Sequence, residues 1–222
     1  GEWINYNAEV TLFPEDPNSS LGDGSGLSWT NYCFSSEIDT CNPGTNYVGT
    51  VTISDENLTT FRYHSQDNVA NQQAIQTVQV RVDKTKPTTS TNFSNNGVWA
   101  NSSQDIYLIA NDSIDGRNVS GLNWTKYCTT DACNPQGGSD YDAGPITILT
   151  EGASVFRFAS SDNASNTETT VENTIKIDTE APNTTDNYSY DNIWINFDAE
   201  ITLFPEDPNY SLVDGSGLNW TK

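Results

Sequence analysis

Basic residues are scarce in this chain and histidine is almost absent. Its 222 residues hold nine Lys and Arg against 30 Asp and Glu, a net charge of −21, with a single histidine. So acidic a surface repels phosphate backbones and anionic lipid headgroups, which excludes nucleic acid and membrane surfaces as natural partners. No apolar run approaches the ~18 residues of a membrane-spanning helix. Helical periodicity is missing throughout, and neither a Gly-x-Ser-x-Gly elbow nor a phosphate-binding glycine loop occurs. The lone histidine, His64, lies in FRYHSQD on an expected strand, and the equivalent place one repeat later is Ala159. A catalytic base needs a partner and a pocket, and nothing near His64 supplies either. With 30 acids, close carboxylate pairs are inevitable and do not by themselves point to a glycosidase. No enzyme is expected.

Hydrophobic residues make up only 34% of the chain, yet 11% is aromatic, which is not a disordered composition. Folded β-structure with polar loops fits it. The four cysteines fall as two local pairs, Cys33 with Cys41 and Cys128 with Cys133. Short spacing and recurrence at matching places point to disulfides and hence to an oxidising, extracellular setting. A zinc site would want Cys-x-x-Cys pairs or nearby histidines. Each short bridged loop contributes about 2–3 kcal/mol in the chain-entropy treatment.

The chain repeats itself. WINYNAEVTLFPEDPN at residues 3–18 returns as WINFDAEITLFPEDPN at 194–209, with a diverged copy, WANSSQDIYLIANDS, at 99–113. Ser-Gly-Leu-x-Trp ends at Trp29, Trp124 and Trp220 in the same register. A period of about 95 residues calls for one folded unit per repeat. Copies one and three resemble each other most, so the larger unit is a pair of repeats. A chain that stops a few residues after the third marker reads as a window from a longer array, in which no leader or anchor is expected. The boundaries fall at 1–84, a first domain without its first strand; 85–179, a complete second; and 180–222, the start of a third.

Within the complete repeat, strands are expected at residues 88–94, 105–110, 122–128, 145–149, 154–159 and 170–178. Ile106 and Leu108 should face one way in a single strand. Asp83 and Asp178 each end an alternating apolar strand just before a Pro-containing linker, Lys86-Pro87 and Ala181-Pro182. Strands at this spacing, with turn residues between them, make an all-β fold of tandem Ig-like β-sandwich domains in a linear array. Trp29, Trp124 and Trp220 take the place of the buried third-strand tryptophan of such sandwiches. The cysteines do not sit on the second and sixth strands, so the domain is not of antibody type.

These motifs together carry a resemblance. The linker IDTEAP at 177–182, Trp99 before the second strand, the acidic turn DGSGL at 23–27 and the late loop SDNASN at 161–166 are similar to the tandem Ig-like, fibronectin-III-like repeats of giant archaeal and bacterial surface proteins. The Tyr-Cys…Cys-Asn-Pro hairpins at 32–43 and 127–135 are similar to archaeal members. The likeness covers the whole chain, with departures: Ser165 stands where the loop has glycine, the first copy reads SQDNVAN, and the second lacks DGSGL. It implies extracellular structure and leaves the ligand open.

Two chemistries fit the loops. The acidic turn after the second strand (Asp16 and Asp23 in copy one, Asp112 in copy two) and the late loop (Asp67, Asp162) emerge at one end of an Ig-like sandwich. Their carboxylates would converge on a hard cation such as Ca²⁺, with Glu15, Asn111 and Asn118 nearby, and with Glu206, Asp207 and Asp214 in copy three. The competing reading is that Asp, Asn and Gly here simply make turns. The other chemistry is N-glycosylation. Twelve of 26 asparagines stand in Asn-x-Ser/Thr where chance gives roughly six. The expected acceptors are Asn18, Asn57, Asn92, Asn101, Asn123, Asn183, Asn187, Asn209 and Asn219. Asn92 with Asn187, Asn18 with Asn209 and Asn123 with Asn219 recur; Asn111, Asn118 and Asn163 crowd the cation loops. Trp3, Trp99 and Trp194 offer faces for sugar stacking, but a tryptophan at a fixed place in each repeat is more often core or domain-junction packing.

The expected function is a structural segment of an extracellular filament, stalk or sheath, with copies of itself and N-linked glycans as partners. Pro-limited linkers favour a semi-rigid rod. The alternatives are an adhesin whose binding tip lies elsewhere and a spacer in a large extracellular enzyme. Enzymatic deglycosylation of native material should lower its mass by several glycans; an unchanged mass refutes the acceptor assignment.

Overall fold

The structure is a computed structural model that describes residues 1–17, 24–36, 40–114, 117–207 and 216–219. Asn18, Asp23, Asn209, Asp214 and Trp220 lie outside the described residues. In the first repeat, short runs rich in β-branched and aromatic residues form β1 (Ala8–Val10), β2 (Leu27–Ser35), β3 (Thr45–Asn46), β4 (Val51–Ile53), β5 (Asn57–Asp67) and β6 (Gln76–Val82). β1 pairs antiparallel with β4, Ala8 opposite Ile53, and the other sheet runs β3-β2-β5-β6. Alternation decides what faces in: Val51 and Ile53 are buried while Thr52 between them is exposed. The core joins Ala8, Val51, Ile53, Phe61 and Val82, flanked by Leu12, Tyr32, Tyr63 and Val80.

The second repeat follows the same plan. Its elements are β7 (Thr88–Thr91), β8 (Trp99–Ala100), β9 (Gln104–Ile106), β10 (Leu108–Asn111), β11 (Leu122–Cys128), a 3-10 turn at Pro135–Gly137, β12 (Ser139–Asp140), β13 (Ile146–Ile148), β14 (Gly152–Asp162) and β15 (Val171–Ile177). β9 pairs with β13, β7 with β10, and the larger sheet is ordered β12-β11-β14-β15-β8. Ile106, Leu108, Ile146, Ile148, Phe156, Phe158, Ile175 and Ile177 form its core. The third repeat contributes β16 (Asn183–Asp186), antiparallel to β17 (Leu203–Glu206). The fold is all-β, built of β-sandwich repeats.

Packing divides the chain into two compact units. The first comprises Gly1–Thr89 with Ala110–Thr125 and Ser160–Thr169; the second comprises Ser90–Ile109, Lys126–Ala159 and Thr170–Lys222. The first unit therefore reaches past residue 84 and takes in two loops of the second repeat.

Two details differ from what the sequence predicts. Residues 105–110 are not one strand: β9 and β10 separate at Tyr107, although Ile106 and Leu108 are both buried. At the break the Asn92 side chain accepts the Tyr107 N–H at 2.7 Å, and Asn187 does the same for Thr202 at 2.8 Å. Tryptophan does not fill the sandwich centre. Phe61 and Phe156, both with no exposure, do so, and Tyr32 stacks on Phe61 at 5.5 Å. Trp29 and Trp124 are half-buried, and Trp29 sits edge-on to His64.

Both expected disulfides are formed, Cys33–Cys41 and Cys128–Cys133, and no free cysteine remains among the described residues. An arginine on the neighbouring strand reaches each bridged loop. Arg62 donates to the Cys41 carbonyl at 2.6 Å, and Arg157 donates to the carbonyls of Thr130 and Asp131. The second hairpin turns tightly at Gly138, where an added Cβ would meet the Tyr127 carbonyl oxygen at 2.2 Å. That neighbour is backbone and cannot move aside.

A glutamate clamps each linker. Glu56 accepts the Lys84 N–H at 2.9 Å and the Thr85 hydroxyl at 2.7 Å. Glu151, 95 residues on, holds the Thr179 N–H and hydroxyl in the same way. Burial alone would raise the Glu56 pKa, but the Thr85 hydroxyl, the Lys84 amide and the Lys84 charge together hold it below its ordinary value.

Two predictions follow from these contacts. Gly138→Ala should destabilise the second sandwich by about 1–3 kcal/mol, read as a lowered urea midpoint, because the turn must open to admit the methyl group. Glu56 has a depressed folded pKa, so its contribution is present above the unfolded glutamate value of about 4.3 and lost as pH falls through the folded value. Glu56→Gln should therefore lower Tm at pH 7 and remove part of the acid limb below pH 4.3; an acid limb identical to that of the parent refutes the clamp.

Candidate functional site

Asp83 follows β6 directly. Its N–H donates to the Ile4 carbonyl at 2.9 Å, which fixes the backbone, and its side chain is wholly buried. One carboxylate oxygen accepts the Thr85 N–H at 3.2 Å and the other the Ser120 N–H at 2.7 Å. Asp162 ends β14 and is also wholly buried. A tight turn at 162–166, with Ser165 at φ 70°, brings Asn166 back beneath it. The Asn166 N–H and side-chain amide each donate to an Asp162 carboxylate oxygen at 2.7 Å. The same amide nitrogen donates to the Asp83 carbonyl at 2.9 Å, tying the two acids together.

Asp112 lies in the turn after β10. Both its carboxylate oxygens are out of water and make no hydrogen bond of good geometry, and the same holds for the Ser120 hydroxyl. Burial pushes the Asp112 carboxyl above its ordinary pKa. The charges of Asp83 and Asp162 push the same way, against weaker opposition from the Gly121 amide and the Ser120 hydroxyl. One oxygen from each of Asp83, Asp112 and Asp162 lies within 4.8 Å of the others. All three belong to the first compact unit.

Of the expected ligands, Asp112 and Asp162 meet here, and Asp83, read from sequence only as the end of a strand, joins them. The signal that marked it was its recurrence as Asp178, 95 residues later. In the first repeat Asp16 accepts the Gly26 N–H at 2.7 Å. Asp67 accepts the Asn71 N–H and side-chain amide at 2.8 and 2.7 Å. Asp67 is held below its ordinary pKa: the burial penalty is outweighed by these Asn71 bonds, the Val69 amide and the Ser25 hydroxyl together. Asp16 and Asp67 belong to no group of three converging ligands among the described residues. Near the third repeat Ser216 donates its N–H to Asp178 at 2.8 Å, and Gly217 donates to Asp207 at 2.5 Å. The Ser216 hydroxyl and amide hold Asp178 below its ordinary pKa.

The acceptor asparagines divide by exposure. Asn92, Asn101, Asn123, Asn183, Asn187 and Asn219 are exposed. Asn57 is half-buried, its side-chain oxygen accepting the Leu58 N–H. The Asn163 amide nitrogen donates to the carbonyls of Ser120, Gly121 and Leu122, so that sequon is occupied in building the loop. Asn92 and Asn187 recur for a structural reason as well, since both bridge a strand break.

His64 is a core residue. Its ring packs against Trp29, and its Nδ1 lies 3.0 Å from the Gln72 amide. An open groove of about 780 Å³ runs past residues 11–17 and the end of β5. Residues 12–15 there stand where β10 stands one repeat later, and β10 is paired with β7. The groove thus runs along the segment equivalent to β10, lined by Thr30, Ser65, Asp67 and Gln72. Trp99 is half-buried on β8, with the Lys176 ammonium 5.6 Å from its ring centre.

No protein-family model matches the chain, and no curated protein does. Solved structures similar to it include the fibronectin(III)-like modules of Clostridium thermocellum CbhA, at 14% identity and TM-score 0.34 over 79% of this chain and 87% of that one. The FN1–FN3 domains of chicken CNTN1 are similar at 10% identity and TM-score 0.28, over 79% of this chain and 65% of that one. Bacteroides ovatus SGBP-B, solved with a mixed-linkage heptasaccharide, is similar at 14% identity and TM-score 0.18, over 85% of this chain and 45% of that one.

Proposed function

We propose that this chain is a non-catalytic structural segment of an extracellular filament, stalk or sheath built from repeated β-sandwich domains. The observation that carries the reading is the repeat boundary. The last strand of the first repeat ends in Asp83, whose carboxylate is bound by Ser120 and whose carbonyl is bound by Asn166, both residues of the following repeat. The next boundary repeats the first of these bonds with Asp178 and Ser216. A flexible tether would leave such groups in water. Here backbone polar groups of one repeat are satisfied by the loops of the next, which opposes hinge motion at little cost in chain entropy.

Further support comes from the surface. Both disulfides suit an oxidising compartment, and exposed acceptors such as Asn101, Asn123 and Asn183 would carry a hydrophilic coat. Residues that would serve a reaction are packed as core or engaged in turns, His64 above all. An adhesin would use the same boundaries to hold a binding tip carried by other residues.

Cryo-electron imaging of native material separates the two. Continuous filaments with an axial repeat of one or two domains are expected. Isolated strings ending in a distinct head would replace the filament reading with the adhesin.

A further inference from the structure

We propose that Asp83, Asp112 and Asp162 together bind one Ca²⁺-type cation, and that this inter-repeat site is rebuilt at each boundary of the array. Three carboxylates stand within 4.8 Å of one another, about twice a Ca–O bond of roughly 2.4 Å, so one ion can touch all three. Asp83 and Asp162 are wholly buried, and the hydrogen bonds they accept come from Thr85, Ser120 and Asn166, none of them a cation. Burying three like charges without a compensating cation is strongly unfavourable.

A separate observation points to a ligand. The two Asp112 oxygens and the Ser120 hydroxyl are sealed from water and make no hydrogen bond of good geometry. Coordination to a cation would satisfy the Asp112 oxygens in full. The donors are all oxygen, with no cysteine or histidine among them, which selects a hard ion over zinc. The other hydrogen bonds of Asp83 and Asp162 come from backbone amides and Asn166, so the cradle is held in place before the ion arrives. Mg²⁺, which keeps several waters, suits so dry a site less well.

The same parts recur. Asp16, Asp112 and Asp207 are spaced by 96 and 95 residues, Asp83 and Asp178 by 95, and Asp67 and Asp162 by 95. In the third repeat the Ser216 and Gly217 amides already hold Asp178 and Asp207 as Ser120 holds Asp83. Only the boundary at Asp83 has all three acids within the 222 residues. The site deepens the structural reading, since an ion there would staple consecutive repeats, but its test does not depend on filaments.

Isothermal titration of the chelator-treated 222-residue chain with CaCl₂ is the direct test. One tight equivalent per chain is expected, with Tm raised by roughly 5–10 °C at a hundredfold excess over Kd. Asp83→Asn, Asp112→Asn and Asp162→Asn should each weaken binding at least about tenfold, while the exposed control Asp142→Asn leaves it unchanged. Circular dichroism of each variant establishes that it is folded. No binding by the parent chain, together with a metal-free Tm raised by Asp112→Asn, would overturn the site and leave a neutral buried acid. Binding that survives Asp83→Asn but not Asp162→Asn would overturn its inter-repeat character. Filaments that persist in EGTA with no calcium bound would refute the site and leave the structural function standing.

Discussion

A buried carboxylate at the end of the last strand organises this molecule. Asp83 has no exposure, and a charge so placed must be compensated by directed donors. Those donors are the Thr85 and Ser120 amides, and the Asn166 amide takes the adjoining carbonyl. Satisfying one residue thus sets the path of the linker and the placement of two loops of the next repeat. The Glu56 clamp on Lys84 and Thr85 acts from the other side of the same linker. The compact unit reaches beyond the repeat boundary for this reason.

Repetition makes the arrangement cumulative. Phe61 and Phe156 fill equivalent cores, Arg62 and Arg157 brace equivalent disulfide loops, and Glu56 and Glu151 clamp equivalent linkers. Some buried positions change within the apolar class, Val51 and Val82 standing where Ile146 and Ile177 stand one repeat later. His64 and Ala159 differ in kind: both positions are buried, and one accommodates an imidazole against Trp29 where the other has only a methyl. A chemistry resting on His64 would be confined to one repeat, whereas the boundary chemistry recurs. The proposed structural role rests on that recurrence.

Much of the sandwich was legible in the amino-acid order. Val51, Ile53, Ile146 and Ile148 alternate with polar residues, so inward and outward faces followed from the period of a strand. The cysteine pairs were legible because their short spacing leaves few partners. The break at Tyr107 was not, because Asn92 reaches it from another strand and its side-chain bond mimics a backbone pair. The aromatic at the centre differs too: Phe61 and Phe156 are wholly buried while Trp29 and Trp124 are half-buried, a choice that depends on packing between sheets rather than on local sequence.

By itself the sequence determined the period, the all-β character, the disulfide loops and the acidity, since each depends on neighbours a few residues apart or on composition. It marked Asp112 and Asp162 as partners because both sit in loops that one sandwich end must bring together. Only the tertiary structure decided that Asp83 joins them and that the Asn163 amide is spent on Ser120, Gly121 and Leu122. Those contacts link residues 29 to 79 positions apart, or 43 to 41 for Asn163, and such pairings depend on how consecutive repeats pack rather than on any local preference.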